Sequence, residues 1–183
     1  RIYRKHGFNV ANMSSAACEA GVSKGTLYVY FVNKEDLIAA VIEDERESFT
    51  SNLSLATGNT DVRTSLYDFG VNFIQHITAD DFITIQRNII AAHHHSQARQ
   101  QHFVDGPNSI LPCLVGVLKK QASLGRLRID DFETAADQFL SLCGGSILEL
   151  RLYECLNSAP HPEEIDCFVR GAVHVFIANY GTD

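Results

Sequence analysis

An all-α fold is predicted for this 183-residue chain by three observations. Apolar residues recur at helical spacing through most of the sequence. The runs are punctuated by capping residues, glycines and prolines. Near the start, a helix, a glycine-containing turn and a second short helix follow one another, the order of a helix-turn-helix.

Taken in order, Arg1 to His6 reads as the end of a helix that began upstream and is stopped by Gly7. Asn12 is placed to cap a helix from Met13 to Ala20, with Gly21 just beyond its end. Ser23 caps another that runs to about Tyr30. Asn33 caps a long helix from Lys34 to about Ser51, with Glu35 and Asp36 in the first turn, where the helix dipole favours acids. Leu37, Ile38, Val41 and Ile42 line one face of it. Further on, Leu66, Phe69, Phe73, Ile74 and Ile77 mark a helix over Thr60 to Ile77, and Ile83, Ile89 and Ile90 mark one over Asp80 to Ala92. Gln97 to Val104 reads as a short helix ended by Gly106-Pro107, Ser109 to Leu124 as an apolar one, and Leu124 to Leu127 as a helix end and turn. Two long helices are expected last, Asp130 to Leu156 and His161 to Tyr180, separated by Pro160 and Pro162 and therefore antiparallel. The expected division is a head over 1–45 and a helical body over 46–183.

Hydrophobic residues make up 45% and charged residues 20% of the chain, as in a folded soluble protein. No apolar run reaches the length of a membrane span and no signal segment opens the chain, so a cytoplasmic location without membrane partners is expected. Five cysteines, Cys18, Cys113, Cys143, Cys155 and Cys167, are widely spaced without a C-x-x-C pair and are expected to be buried free thiols in a reducing compartment. Charge is uneven. Residues 1–34 carry five of the 15 basic side chains and one of the 22 acidic ones, about +4, which leaves about −11 for the remainder. A basic head on an acidic body suits a protein whose head alone meets a polyanion, although chance clustering of surface lysines gives the same count.

The second short helix carries the chemistry. Val22 and Leu27 are expected to face inward against Ala17 and Phe31, leaving Ser23, Lys24, Gly25, Thr26, Tyr28 and Tyr30 outward or at the edge. Gly25 permits close backbone approach to a groove, and hydroxyls with a lysine near a helix start suit phosphate oxygens and base edges. An ordinary helical hairpin with polar tips is the alternative.

The stretch "AGVSKGTLYVYFVNKEDLIAAVI", with "KHGF" at Lys5 to Phe8, closely resembles the DNA-binding signature of the TetR family of transcriptional regulators, matched from Ala20 through Leu37. Ala16, Cys18 and Asn12 depart from the usual pattern in the first short helix. The resemblance implies that Lys24, Gly25, Thr26, Tyr28 and Tyr30 contact bases and backbone, that Lys34 meets phosphate, and that Asn12 and Ser14 touch the flanking backbone. Tyr28 has a rival role as a packing residue whose hydroxyl alone reaches DNA. More weakly, "RNIIAAHHHSQARQQHFVDGP" followed by "LKKQASLGRLRIDDFETAADQFLSL" resembles the AefR-like subgroup of that family.

The resemblance also implies a homodimer built by the last two helices. Gly144, Gly145, Gly171 and Ala172 stand there beside Phe139, Ile147, Phe168, Val175 and Phe176, and small residues next to large ones allow close helix approach. Ile147, Phe168, Gly171, Ala172, Val175 and Phe176 are the expected interface. It implies, further, an effector site within the body. Phe69, Phe73, Phe82, Phe103, Leu114, Leu118, Phe139 and Cys143 either line such a cavity or fill the core, with Tyr67, Asn72, His76 and Gln138 as polar anchors.

His93, His94 and His95, with His102 beyond, invite a metal reading. Consecutive helical residues point about 100° apart, so three adjacent imidazoles do not face one ion. A solvated histidine run is expected, with a metal or proton sensor as the alternative, and no cofactor or metal. An enzyme is not expected, because no G-x-S-x-G, H-E-x-x-H or phosphate-loop pattern occurs. The sequence as a whole points to a dimeric, ligand-responsive regulator, a repressor released from a palindromic double-stranded DNA operator by a small apolar effector. A helical scaffold protein without DNA binding is the alternative.

Overall fold

The computed structural model describes residues 12–34, 36, 37, 40, 61–91 and 110–182. Among them are eight helices and no strand: α1 (Met13–Ala20), α2 (Lys24–Tyr30), α3 (Val62–Thr78), α4 (Asp80–Ala91), α5 (Ile110–Ser123), α6 (Phe132–Gly144), α7 (Ile147–Leu152) and α8 (Pro162–Tyr180). The expected helices over 1–6 and 97–104, the body of the one after Lys34, the 45/46 boundary, Phe103 and the histidine run lie outside the described residues.

The head is built from local signals. The Asn12 side chain accepts the N–H groups of Ser14 and Ser15 at 3.0 and 2.9 Å, and Ser15 Oγ accepts the N–H of Asn12, a reciprocal cap that starts α1. Gly21, at φ +69°, ends it, and the Val22 N–H reaches back to the Ala17 carbonyl. Ser23 Oγ accepts the Thr26 N–H at 3.0 Å and starts α2. Met13, Ala17 and Leu27 form a small core with Ala16, Phe31 and Leu37 against it. Val22, expected inward, is instead exposed: the sharp turn after Gly21 carries it past the core.

In the body, α3 runs through the middle and packs on α4, α5, α6, α7 and α8. Leu66, Phe69 and Ile74 of α3 meet Leu114 and Leu118 of α5, Phe139 of α6, and Val169 and Phe176 of α8, all without solvent contact or nearly so. Approach at the centre is close. A Cβ added at Gly70 would lie 2.8 Å from Val169 Cγ1 and 3.2 Å from Cys143 Sγ.

The expected single helix from Asp130 to Leu156 is two helices. Two adjacent glycines are poor helix formers, by about 1 kcal/mol each relative to alanine. Gly145 takes φ +45°, which ends α6, and α7 restarts at Ile147. Its last turn is pinned by Arg151, a buried arginine whose Nε donates to the Thr78 carbonyl (3.2 Å), Nη1 to the Leu156 carbonyl (3.1 Å) and Nη2 to Asp80 Oδ1 (2.5 Å). Pro162 opens α8 at a position whose missing N–H costs nothing. The segment after α8 returns to the α5–α6 turn, where the Arg128 N–H donates to the Tyr180 carbonyl at 2.8 Å.

Candidate nucleic-acid interface and regulatory body

The start of α1, one side of α2 and the turn after it converge on an open cleft of about 440 Å³ lined by Asn12, Met13, Ser14, Lys24, Tyr28, Val32, Asn33 and Lys34. Five of the eight residues expected to touch DNA, Asn12, Ser14, Lys24, Tyr28 and Lys34, are thus brought to one surface. The other three, Gly25, Thr26 and Tyr30, lie exposed elsewhere on α2. Lys24 Nζ sits 5.8 Å from the centre of the Tyr28 ring. That ring is half exposed, so Tyr28 both supports the lysine and faces the solvent. The Thr26 hydroxyl is 2.8 Å from Ser23 Oγ and belongs to the α2 cap. Two ammonium groups beside amide and hydroxyl side chains can hold phosphate oxygens, and the α2 ridge next to them can enter a groove. The cleft's Met13, Val32 and Asn33 are not expected at a DNA surface from the sequence, where Asn33 reads only as the cap before Lys34.

The residues expected to form an effector site divide. Phe69, Phe73, Leu114, Leu118, Phe139 and Cys143 are buried in the continuous core. Phe69 and Phe139 meet edge to face at 6.5 Å, and Phe139 meets Phe176 at 5.3 Å. Burial pushes the Cys143 thiol up to about 12, so it is a packing group and not a thiolate. His76 lies 4.9 Å from Phe82, and burial drives its pKa down to about 4. Asn72 donates back to the Asp68 carbonyl of its own helix at 2.7 Å. Two of the expected anchors bond to residues of α8. Gln138 is exposed and accepts the Tyr180 hydroxyl at 2.6 Å. Tyr67 turns toward α8, where its hydroxyl donates to Asp166 at 2.5 Å and Arg170 lies 5.3 Å over its ring. Arg170, then Tyr67, hold the Asp166 carboxyl below the usual carboxylate range, and the same bond raises the Tyr67 phenol. Tyr67 lines a second open cleft, of about 340 Å³, with Arg63, Thr64, Arg170, Val173 and His174.

The expected interface residues divide as well. Phe168 and Val175 are half exposed and Gly171 lies between them on the outer face of α8. Ile147, Ala172 and Phe176 are instead buried in their own chain's core, because they fall on the inner face of the helices that carry them. Leu142, Leu150, Leu156 and Tyr153 are exposed apolar groups that the sequence reading missed; Tyr153 is 78% exposed. Among the described residues no group of His, Cys, Asp or Glu is gathered for a metal ion, and no helix is long and apolar enough to cross a membrane.

Residues 64–182 match the family described as AefR-like transcriptional repressor, C-terminal domain, and residues 1–41 match the tetR family of bacterial regulatory proteins. Over 52 residues the chain is 31% identical to the fatty acid metabolism regulator protein of Bacillus subtilis, a match that covers 28% of this chain and 27% of that protein. Two solved structures are similar over nearly their whole length. The flavonoid-responsive regulator FrrA superposes with a TM-score of 0.77 at 27% identity, covering 99% of this chain and 92% of FrrA. A TetR-family regulator from Mesorhizobium loti superposes with a TM-score of 0.84 at 19% identity, covering 98% and 91%, and shares the fold.

Proposed function

The chain belongs to the TetR family of transcriptional regulators, with an AefR-like C-terminal domain, and on that premise we propose that it is a homodimeric repressor released from a palindromic operator by a small, largely apolar effector. The head, to about residue 45, holds DNA, and the helical body from about 46 senses the effector and dimerises. The cleft that joins Asn12, Ser14, Lys24, Tyr28 and Lys34 carries the reading. It gathers cations and hydrogen-bonding groups on an otherwise acidic protein, beside a helix slim enough to enter a major groove. The effector class is supported by the apolar composition of the body's core and by two relatives, one responsive to flavonoids and one that regulates fatty acid metabolism. An effector acts only by binding the released arrangement more tightly than the DNA-bound one.

Titrating the full-length protein onto the duplex upstream of its own gene, at several salt concentrations and with candidate apolar ligands, tests the proposal. Specific binding should weaken with salt and with an active ligand. Lys34→Ala should lower affinity for every duplex and reduce the salt slope by about one. Affinity and slope unchanged by Lys34→Ala would remove that residue from the phosphate contacts, and absence of any sequence preference would defeat the repressor reading.

A further inference from the structure

Val29, Val32 and Tyr30 are large side chains of the head left facing solvent: both valines are 80% exposed and Tyr30 is 75% exposed. Val29 stands apart by its position. Leu27 is the buried residue of α2, and successive side chains of an α-helix advance by about 100°. Gly25 and Val29 therefore both fall about 160° from Leu27, one on each side of the outermost line of the helix. Lys24 and Tyr28 turn to one flank, toward the cleft with Asn12, Ser14 and Lys34. Thr26 and Tyr30 turn to the other.

Nothing crowds this outer ridge. A Cβ built at Gly25 would meet only Ser23 Oγ, at 3.7 Å. With no side chain at Gly25, the first side chain to reach a surface laid against the ridge is Val29. A valine contributes little there in the free protein: it is a poorer helix former than alanine and covers no core. Its isopropyl group can neither donate nor accept a hydrogen bond, so phosphates and most base edges give it nothing. One group on the floor of the major groove does, the C5-methyl of thymine.

We infer that Val29 reads a thymine methyl in each half of the DNA site. The inference rests on the DNA-binding reading of the head and adds to it an apolar, specificity-determining contact. Gly25 lets the helix seat deeply, the lysine flank fixes its register on phosphate, and Val29 then meets the methyl, which selects an A·T pair at one position.

The experiment uses the full-length protein to select duplexes from a random pool, then replaces each thymine of the selected site by uracil, which removes only the methyl. Wild type should lose about fourfold in affinity per half-site at one thymine position, the weight of one buried methyl group. Val29→Ala should bind the thymine and uracil duplexes equally at that position while keeping its affinity for unrelated duplex, which Lys24 and Lys34 sustain. A wild type indifferent to uracil everywhere, or a Val29→Ala variant that keeps the full methyl preference, overturns the inference alone. If the pool yields no enriched sequence, the DNA-binding reading falls and the inference falls with it.

Discussion

His76 lies half-buried on α3 against the Phe82 ring, and burial disfavours its charged form enough to bring the pKa from 6.5 to about 4. The unfolded chain therefore binds this proton more readily than the folded one between pH 6.5 and 4. Stability from this group is complete above about pH 6.5, declines as pH falls, and levels off below about 4. Its size is on the order of 3 kcal/mol at most. Asp61 and Asp131, held below the usual carboxylate range chiefly by their Thr64 and Thr134 hydrogen bonds, lose stability in an acid window of their own. Comparison with a variant separates these contributions. Urea titrations at pH 7 and pH 4.5 should show a smaller loss for His76→Gln than for wild type, and equal losses would mean that His76 is already accommodated in its charged form.

At the scale of elements, two arginines hold the broken helix in place. Arg151 spans α7, the end of α3 and the turn at Leu156, while Arg87 of α4 donates to the Arg151 and Leu152 carbonyls at 2.5 and 3.0 Å and pairs with Glu154 at 3.0 Å. The Asp80 carboxylate that meets Arg151 is 86% exposed, so solvent screens the ion pair and the buried carbonyl contacts dominate. Arg151→Met should accordingly cost about 3 kcal/mol and Asp80→Asn less than about 1 kcal/mol in denaturant melts. Comparable losses from the two would show instead that the charge pair is the main tie. This arrangement also explains what the sequence conceals. Phe139, Cys143 and Ile147 succeed one another every four residues and are all buried, so the apolar stripe runs unbroken across Gly144 and Gly145 and periodicity reads one helix where there are two. Elements with local punctuation, such as α1 between Asn12 and Gly21 or α2 after Ser23, are legible to the residue. Five of the eight residues that line the polar cleft stand out in the sequence as well, because the whole lining comes from within 23 consecutive residues. Tyr67 was not legible, because its partner Asp166 lies 99 positions away and no local pattern announces a contact at that range.

For the whole molecule, the exposed apolar groups decide what the body can do. Phe168, Gly171 and Val175 follow one another on the outer face of α8 at intervals of three and four, a helical seam left uncovered by the chain itself. Leu142 and Tyr153, at the end of α6 and just after α7, are exposed apolar groups as well. A twofold partner would cover the α8 seam with its own copy, the self-complementary arrangement of an isologous interface. Replacing Phe168 by glutamate places two like charges across such an axis without disturbing the core, since Phe168 is half exposed in the single chain. Phe168→Glu should then be a folded monomer by light scattering, with an unchanged helical spectrum. A monomer can hold only one half-site at a time, so its affinity for a palindromic duplex should fall by about a hundredfold or more, whereas its affinity for an isolated half-site should match that of wild type, because the gain from linking two heads is an effective-concentration gain and creates no new contact. A Phe168→Glu protein that remained dimeric would move the interface away from α8. One that became monomeric yet kept full affinity for the palindrome would leave dimerisation without a part in recognition.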